Sequence, residues 1–396
     1  MQARQSILLL LLSLGLLLVG HGVQLTLLPI KANGLGWSEA TIGLTGAAYF
    51  AGFIVGCFAA PRLLGKAGHI RVYVCLSSLM AAALLVLDMS SQLWIWIAGR
   101  FITGWCLAAI YTMAESWLNE HTDNHNRGRF LSIYVIVTLI SMASGQLALG
   151  VLAEELLFRI AAMIMLISIL PIGLFCSDQP MQVTKVSMIL SQVRTLPLLA
   201  VAGVLTGGIV TGSMWTMAPG VGEARGFPLA MIGAMMTTII AGGVFFQLPL
   251  GIASDRLGRQ TLIRLVAVVC FSSAVGLMVI PDQEFAWFFA GLLVYGGSSL
   301  TLYALSAAQA YDVSPLSRIE TSAILLAIYG TGSILGPLLV GLTSLYFQDA
   351  LFLVSASAML LLTTATLLLK EGIQATVTSL DLTSLNQPAV ALDKAM

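Results

Sequence analysis

Apolar runs of 18 residues or more recur from one end of this chain to the other, broken only by short polar turns. A helix rises about 1.5 Å per residue, so each run is long enough to cross a hydrocarbon core of about 30 Å. Composition agrees: 9% of the 396 residues are charged and 58% are hydrophobic, with a mean hydropathy of +0.95. Ordinary soluble domains do not have such a composition. The expected class is therefore an all-α polytopic membrane protein. Eighteen basic and eighteen acidic side chains leave no net charge, so no field for nucleic acid arises. Cys57, Cys75, Cys106, Cys176 and Cys270 all fall inside apolar runs, which points to packing groups rather than disulfides or a metal cluster.

The expected spans are 6-30, 39-61, 70-88, 93-117, 129-151, 156-177, 197-219, 228-253, 260-280, 284-310, 319-345 and 348-370. The N-terminal leucine run follows Arg4 but lacks a small-residue cleavage site, so it is read as a retained first helix. Twelve spans put both termini on one side. The connections on that side hold Arg4, Arg62, Lys66, Arg71, Arg127, Arg129, Lys185, Arg194, Arg256, Arg259, Arg264, Arg318 and Lys370, against Lys31, Arg159 and Arg225 on the other. The positive-inside rule then expects both termini in the cytoplasm.

The halves repeat each other. Gly22, Thr26 and Pro29 match Gly212, Thr216 and Pro219; Ala51-Gly52 matches Ala241-Gly242; Gly104 and Tyr111 match Gly296 and Tyr303; Gly145 and Gly150 match Gly336 and Gly341. Every offset lies between 190 and 192. Two like halves with a site between them are expected of a rocking transporter. The expected units are an N-terminal six-helix bundle at 1-177, a cytoplasmic linker at 178-196, a C-terminal six-helix bundle at 197-370 and a disordered cytoplasmic tail at 371-396.

Three stretches carry a family likeness. GIASDRLGR, Gly251 to Arg259, resembles the signature that major facilitator superfamily transporters carry between spans two and three or eight and nine. Arg100 followed by Gly104 resembles the family's cavity arginine, and GSILGPLLVG, from Gly332 to Gly341, resembles its glycine-proline antiporter motif. Two places depart from the pattern: Pro61 stands where the N-terminal signature would have its acid, and Gln146 stands where span five would have its proline. AESW with RGRFLSIY, SGQL, GSMWTMAP and QLPLGIASDRLGR extend the likeness over nearly the whole chain to the YcaD-like branch. The resemblance implies the major facilitator fold in an inner membrane, with spans one, four, seven and ten around a cavity, and no particular substrate.

Depth sharpens the site. Arg100 lies seven residues into span four and His21 about nine residues from the outer end of span one, roughly 10 and 13 Å deep at the helical rise. His21 and Gln24 share a helical face and could meet Arg100, with the Gln24 carbonyl oxygen offered to the guanidinium. Otherwise Arg100 snorkels outward and His21 is an interhelical packing group. In the second half Thr211, Trp215, Tyr295 and Tyr303, with Thr216, Ser298 and Ser299, offer hydroxyls and aromatic faces, while Leu292 stands at the position equivalent to Arg100. A cavity basic on one wall and neutral-polar on the other suits a small anionic or zwitterionic metabolite, or an amphipathic molecule.

The expected gate is cytoplasmic. Asp255 can cap a neighbouring helix while Arg256 and Arg259 meet carboxylates or lipid phosphates. Glu115 is fifteen residues from Arg100, about 22 Å along the helix, so its expected partners are Arg127, Arg129 and the start of span five. His121 and His125 have metal-like spacing but no further ligand near them, so no metal site is expected.

The expected function is a secondary active transporter working by alternating access with proton coupling, efflux of a drug-like or metabolite substrate being among the possible activities. The alternatives are a membrane-embedded lipid-modifying enzyme, for which no co-located nucleophile, base and metal set is present, and a non-transporting sensor. The chain has no phosphate-binding loop, and no enzyme activity or cofactor is expected. Its expected partners are a small-molecule substrate, protons and membrane lipid, without nucleic acid, and its expected state is a monomer.

Overall fold

The protein was analysed as a computed structural model that describes residues 2–120, 127–176, 190–281, 283–316 and 318–368, although the side chains of a few of these, including Arg127, Arg129 and Asp255, lie outside the described residues. Helices account for nearly all of it: α1 (Gln2–Gly34), α2 (Glu39–Ala67), α3 (His69–Met89), α4 (Leu93–Glu120), α5 (Arg127–Ala148), α6 (Glu154–Ile167), α7 (Ile169–Phe175), α8 (Leu198–Ala224), α9 (Leu229–Leu257), α10 (Arg259–Val279), α11 (Phe285–Val313), α12 (Arg318–Thr343) and α13 (Ala350–Leu368). No strand occurs among the described residues. Eleven helical stretches are long and apolar enough to cross a membrane, and α5 contributes a shorter apolar stretch, Ile133–Ala148. The chain is a multi-pass membrane protein.

The sixth expected span is interrupted. Pro171 offers no N–H and its ring crowds the carbonyl of Ile167 four residues back, so α6 stops and α7 restarts after Ser168. The Ser168 hydroxyl donates to the Met165 carbonyl at 2.6 Å and accepts from Tyr73 Oη at 3.1 Å, holding the break against α3. Several helices also outrun their expected ends: α2 continues to Ala67 and α11 to Val313. Their last turns carry polar and charged groups that the hydropathy pattern had left to the loops.

The repeat is a repeat of geometry. The described glycines with positive φ are Gly36 (76°), Gly68 (78°), Gly226 (71°) and Gly258 (86°); Gly226 and Gly258 each follow their counterparts by 190 residues. Left-handed backbone of this kind excludes most other residues, so the turns that reverse the chain after the first and second helix of each half are the same turn used twice. Close packing repeats too. A Cβ on Gly104 would overlap the carbonyl of Tyr49, and one on Gly296 would overlap that of Ile239. The α2–α4 crossing is therefore rebuilt as α9–α11, with Tyr49 and Ile239 at matching places 190 residues apart.

The two six-helix halves meet chiefly at the face opposite the termini. There Gly43 of α2 lies against the Pro337 carbonyl of α12, Gly341 of α12 against Ala40 of α2, and Gly233 of α9 against the Gln146 carbonyl of α5. Thr26 of α1 donates to Oε1 of Gln146, the residue at the missing proline position, and so ties α1 to α5. Three polar contacts join the halves on the same side: Asn33 Nδ2 donates to Glu223 Oε2 at 3.0 Å, Thr237 Oγ1 of α9 donates to the Ala143 carbonyl of α5 at 3.4 Å, and Glu39 bonds Ser344.

Candidate functional site

Arg100 is held where α4 crosses α2. Because Gly104 has no side chain, the two backbones approach closely one turn along α4 from Arg100, and the guanidinium comes to rest 4.5 Å from the centroid of the Tyr49 ring. That separation is a cation–π contact. Tyr49 Oη and His21 Nε2 are 3.3 Å apart and hydrogen-bonded. Their rings lie nearly parallel, 17° between planes and 6.0 Å between centroids. Helices α1, α2 and α4 thus deliver one histidine, one tyrosine and one arginine to a single point.

All of it is buried. Arg100 is 4% exposed, His21 1% and Gln24 0%. Among the described residues Arg100 has no acidic partner, and its Nη1 makes no hydrogen bond; Gln24 lies beside His21 and interacts with its ring, but neither the Gln24 amide nor Nδ1 of His21 makes a well-formed hydrogen bond. The expected bond from Gln24 to the guanidinium is not formed. Buried polar groups nearly always find partners, and a charge out of water costs several kcal/mol when nothing neutralises it. A guanidinium with an unused donor, beside a histidine and an amide that are poorly satisfied, is an incomplete polar core.

The second half supplies a neutral counterpart. Thr211 Oγ1 lies 2.7 Å from Tyr329 Oη, and Tyr329 packs edge-on to Tyr303 at 4.9 Å between centroids. Tyr329 and Tyr49 act on each other electrostatically across the two halves. Tyr49 likewise reaches Tyr111, and Tyr303 reaches Glu115. A seam of tyrosines therefore runs between the halves from Arg100 toward Glu115. Trp215 is half-buried against the apolar core. Tyr295 stands apart: its hydroxyl lies 2.8 Å from Ser355 Oγ, and its ring meets Phe352 edge-on at 5.8 Å, both on α13. The structure brings His21, Gln24 and Arg100 together, and Thr211 with Tyr303, but leaves Tyr295 outside.

The gate residues are placed as follows. Glu115 is exposed and bonded to the Tyr134 hydroxyl of α5. Its expected partners Arg127 and Arg129, and the cap expected of Asp255, fall on side chains outside the described residues. Arg256 is exposed. Arg259 donates to Asp312 Oδ2 at 3.1 Å and to Ser254 Oγ at 2.9 Å. Both partners belong to the second half, so these bonds brace that half internally.

Tyr49 and Tyr329 were not anticipated from the sequence. A signal existed for Tyr49: it follows Gly46, Ala47 and Ala48 and precedes Gly52, so it is the polar one of two adjacent rings, Tyr49 and Phe50, set among small residues. Tyr329, beside Gly330 and Gly332, sits in a similar stretch.

Comparison with known proteins follows the same line. The family model described as Major Facilitator Superfamily matches residues 10–320 and 199–380. The MFS-type transporter YcaD of Salmonella newport (strain SL254) is 30% identical over 361 residues, covering 89% of this chain and 92% of that one. YE1530 of Yersinia enterocolitica, also described as an MFS-type transporter, is 27% identical over 375 residues, with 93% and 97% covered. Among solved structures, the nucleoside transporter NupG (D323A mutant) superposes with a TM-score of 0.77 at 16% identity, over 92% of this chain and 99% of that one. A D-xylose-proton symporter gives 0.68 at 13% identity, over 90% and 96%. At such identities the two structures speak to fold.

Proposed function

Because the chain belongs to the Major Facilitator Superfamily, we propose that it is a secondary active transporter that moves a small anionic or zwitterionic molecule across the inner membrane by alternating access. The observation that carries this reading is Arg100: a guanidinium 4% exposed with no acidic partner among the described residues. Ionisable groups at such depth are expensive and mark substrate or ion paths. His21, Gln24 and Tyr49 form the wall around it, and Thr211, Trp215, Tyr303 and Tyr329 face it from the second half.

Alternating access is supported by the pattern of contacts. The bundles at 1-177 and 197-370, joined by a linker at 178-196, meet through glycine contacts and three polar bonds toward the face opposite the termini. Rocking about the Arg100 level would break these and expose the site to that face. The surplus of Lys and Arg on the other face favours termini in the cytoplasm, with Arg256, Arg259, Asp255, Arg127 and Arg129 on that side and the tail 371-396 beyond. Glu115, a carboxylate on a membrane-crossing helix that bonds Tyr134, is the group best suited to carry a coupled proton.

Purified protein in liposomes tests the reading. Counterflow and net flux of labelled organic anions and zwitterions should occur in at least one direction and respond to an imposed pH gradient. No flux of any panel member in either direction would sink it.

A further inference from the structure

The chemistry around Arg100 specifies more than charge. Of the described groups that can become charged, Tyr49 and His21 are the ones that act electrostatically with the Arg100 guanidinium, and no carboxylate does. Glu115, on the same helix, is fifteen residues away, about 22 Å at the helical rise. The site therefore offers one permanent positive charge and requires one negative charge to neutralise it. A carboxylate matches a guanidinium with two parallel hydrogen bonds, and Nη1 of Arg100 is free to make one of them. Gln24 is 0% exposed one turn from His21 and interacts with that ring without a well-formed hydrogen bond, so its amide can turn to receive a second carboxylate oxygen or a neighbouring donor on the same molecule.

Shape follows from the rings. Tyr49 lies over the guanidinium, the His21 ring runs parallel to it, and Phe50 meets it edge-on at 5.1 Å. Tyr329 and Tyr111 lie within electrostatic reach of Tyr49. Flat surfaces of this kind accept a planar body by stacking or edge contact, and the Arg100 guanidinium is the one permanent cation among them.

We infer that the transported molecule is a planar, aromatic monocarboxylate, its carboxylate on Arg100 and Gln24 and its ring among Tyr49, His21 and the tyrosines of the seam. This rests on the transporter reading above and narrows it to one ligand class. Tyr49, whose ring now covers the guanidinium, is the group such a ligand would slide beneath or displace.

Ligand-dependent stabilisation of the purified full chain tests the class, because binding to the folded state raises its melting temperature. Benzoate, phenylacetate and indole-3-acetate at constant ionic strength should raise Tm by about 2–4 °C. Benzamide and indole-3-acetamide, which keep the ring and lose the charge, should not. Phthalate, with two charges, should stabilise less than benzoate. The shift should vanish in Arg100→Gln and shrink in Gln24→Leu; Tyr49→Phe, which keeps the ring face over the guanidinium, reads the site if Arg100→Gln fails to fold. Equal shifts with the amides, a larger one with phthalate, or none with any of the three monocarboxylates would overturn the inference. Flux of other solutes in liposomes would in that case leave the transporter reading standing, whereas absent flux of every solute would remove that reading itself.

Discussion

Arg100 and Tyr49 face each other across the α2–α4 crossing, guanidinium carbon to ring centroid 4.5 Å, with the tyrosine hydroxyl engaged by His21 behind it. A ring face is a poor substitute for a carboxylate, worth about 2 kcal/mol or somewhat more to a desolvated cation, against the several kcal/mol that its desolvation costs. The burial of the charge is thus incompletely compensated, and that imbalance can be measured.

Replacing Arg100 with leucine should stabilise the protein and stop it working. The change removes a buried charge whose desolvation costs several kcal/mol, and Leu292 at the equivalent place in the second half, 1% exposed, shows that leucine fits such a crossing. Thermal unfolding followed by intrinsic fluorescence should move up by a few degrees while flux falls at least 100-fold. Unaltered flux would remove Arg100 from the substrate wall.

Glu115→Gln tests proton carriage separately from binding. The amide keeps a hydrogen-bonding group for Tyr134 but cannot exchange a proton. Net flux driven by a pH gradient should drop by an order of magnitude or more, and counterflow without a gradient should persist. If the mutant still concentrates substrate against a pH gradient as the wild type does, Glu115 is not the coupled group.

The face opposite the termini is pinned by Asn33 to Glu223 at 3.0 Å and by Glu39 to Ser344. A hydrogen bond to a charged group contributes about 1.5–3 kcal/mol. Asn33→Ala combined with Ser344→Ala should therefore shift the balance of states by 10-fold or more toward opening at that face. Spin-label distances between α2 and α12 at their ends on that face would report a longer population, and an unchanged distance distribution would count against these bonds as a latch.

Tyr295→Phe should affect stability without affecting transport. Its hydroxyl is spent on Ser355, 2.8 Å away on α13, and an ordinary hydrogen bond of this kind contributes about 1 kcal/mol. A Tm lower by a few degrees with normal flux is expected. A changed apparent affinity for substrate, with Tm unmoved, would bring Tyr295 back to the cavity.

Hydropathy and glycine spacing were enough to read the helices and their repeat, because those features depend on single-chain periodicity; the expectation that His21 could meet Arg100 also needed the resemblance, which implies spans one and four around one cavity. Tyr49 escaped because its role is made by a neighbour: it matters only once Gly104 has brought α4 against α2. Tyr295 and Tyr303 are eight residues apart on one helix, yet one turns to α13 and the other to Tyr329. Composition cannot separate them, since that choice belongs to the packing of three helices. The Gln146 substitution in span five likewise gained a meaning only in space, as the acceptor for Thr26.

The duplicated crossing has one more consequence. With Gly104 the first half closes α2 on α4 over Tyr49 and Arg100; with Gly296 the second half closes α9 on α11 over Ile239, 0% exposed, and Leu292, 1% exposed, stands one turn before Gly296 as Arg100 stands before Gly104. The second half is thus an internal control within the same molecule: identical architecture, hydrocarbon contents, and a crossing that forms all the same. Whatever holds two such helices together therefore does not require an ion. The charge at Arg100 is subtracted cleanly from the scaffold, and what remains after the subtraction is its use.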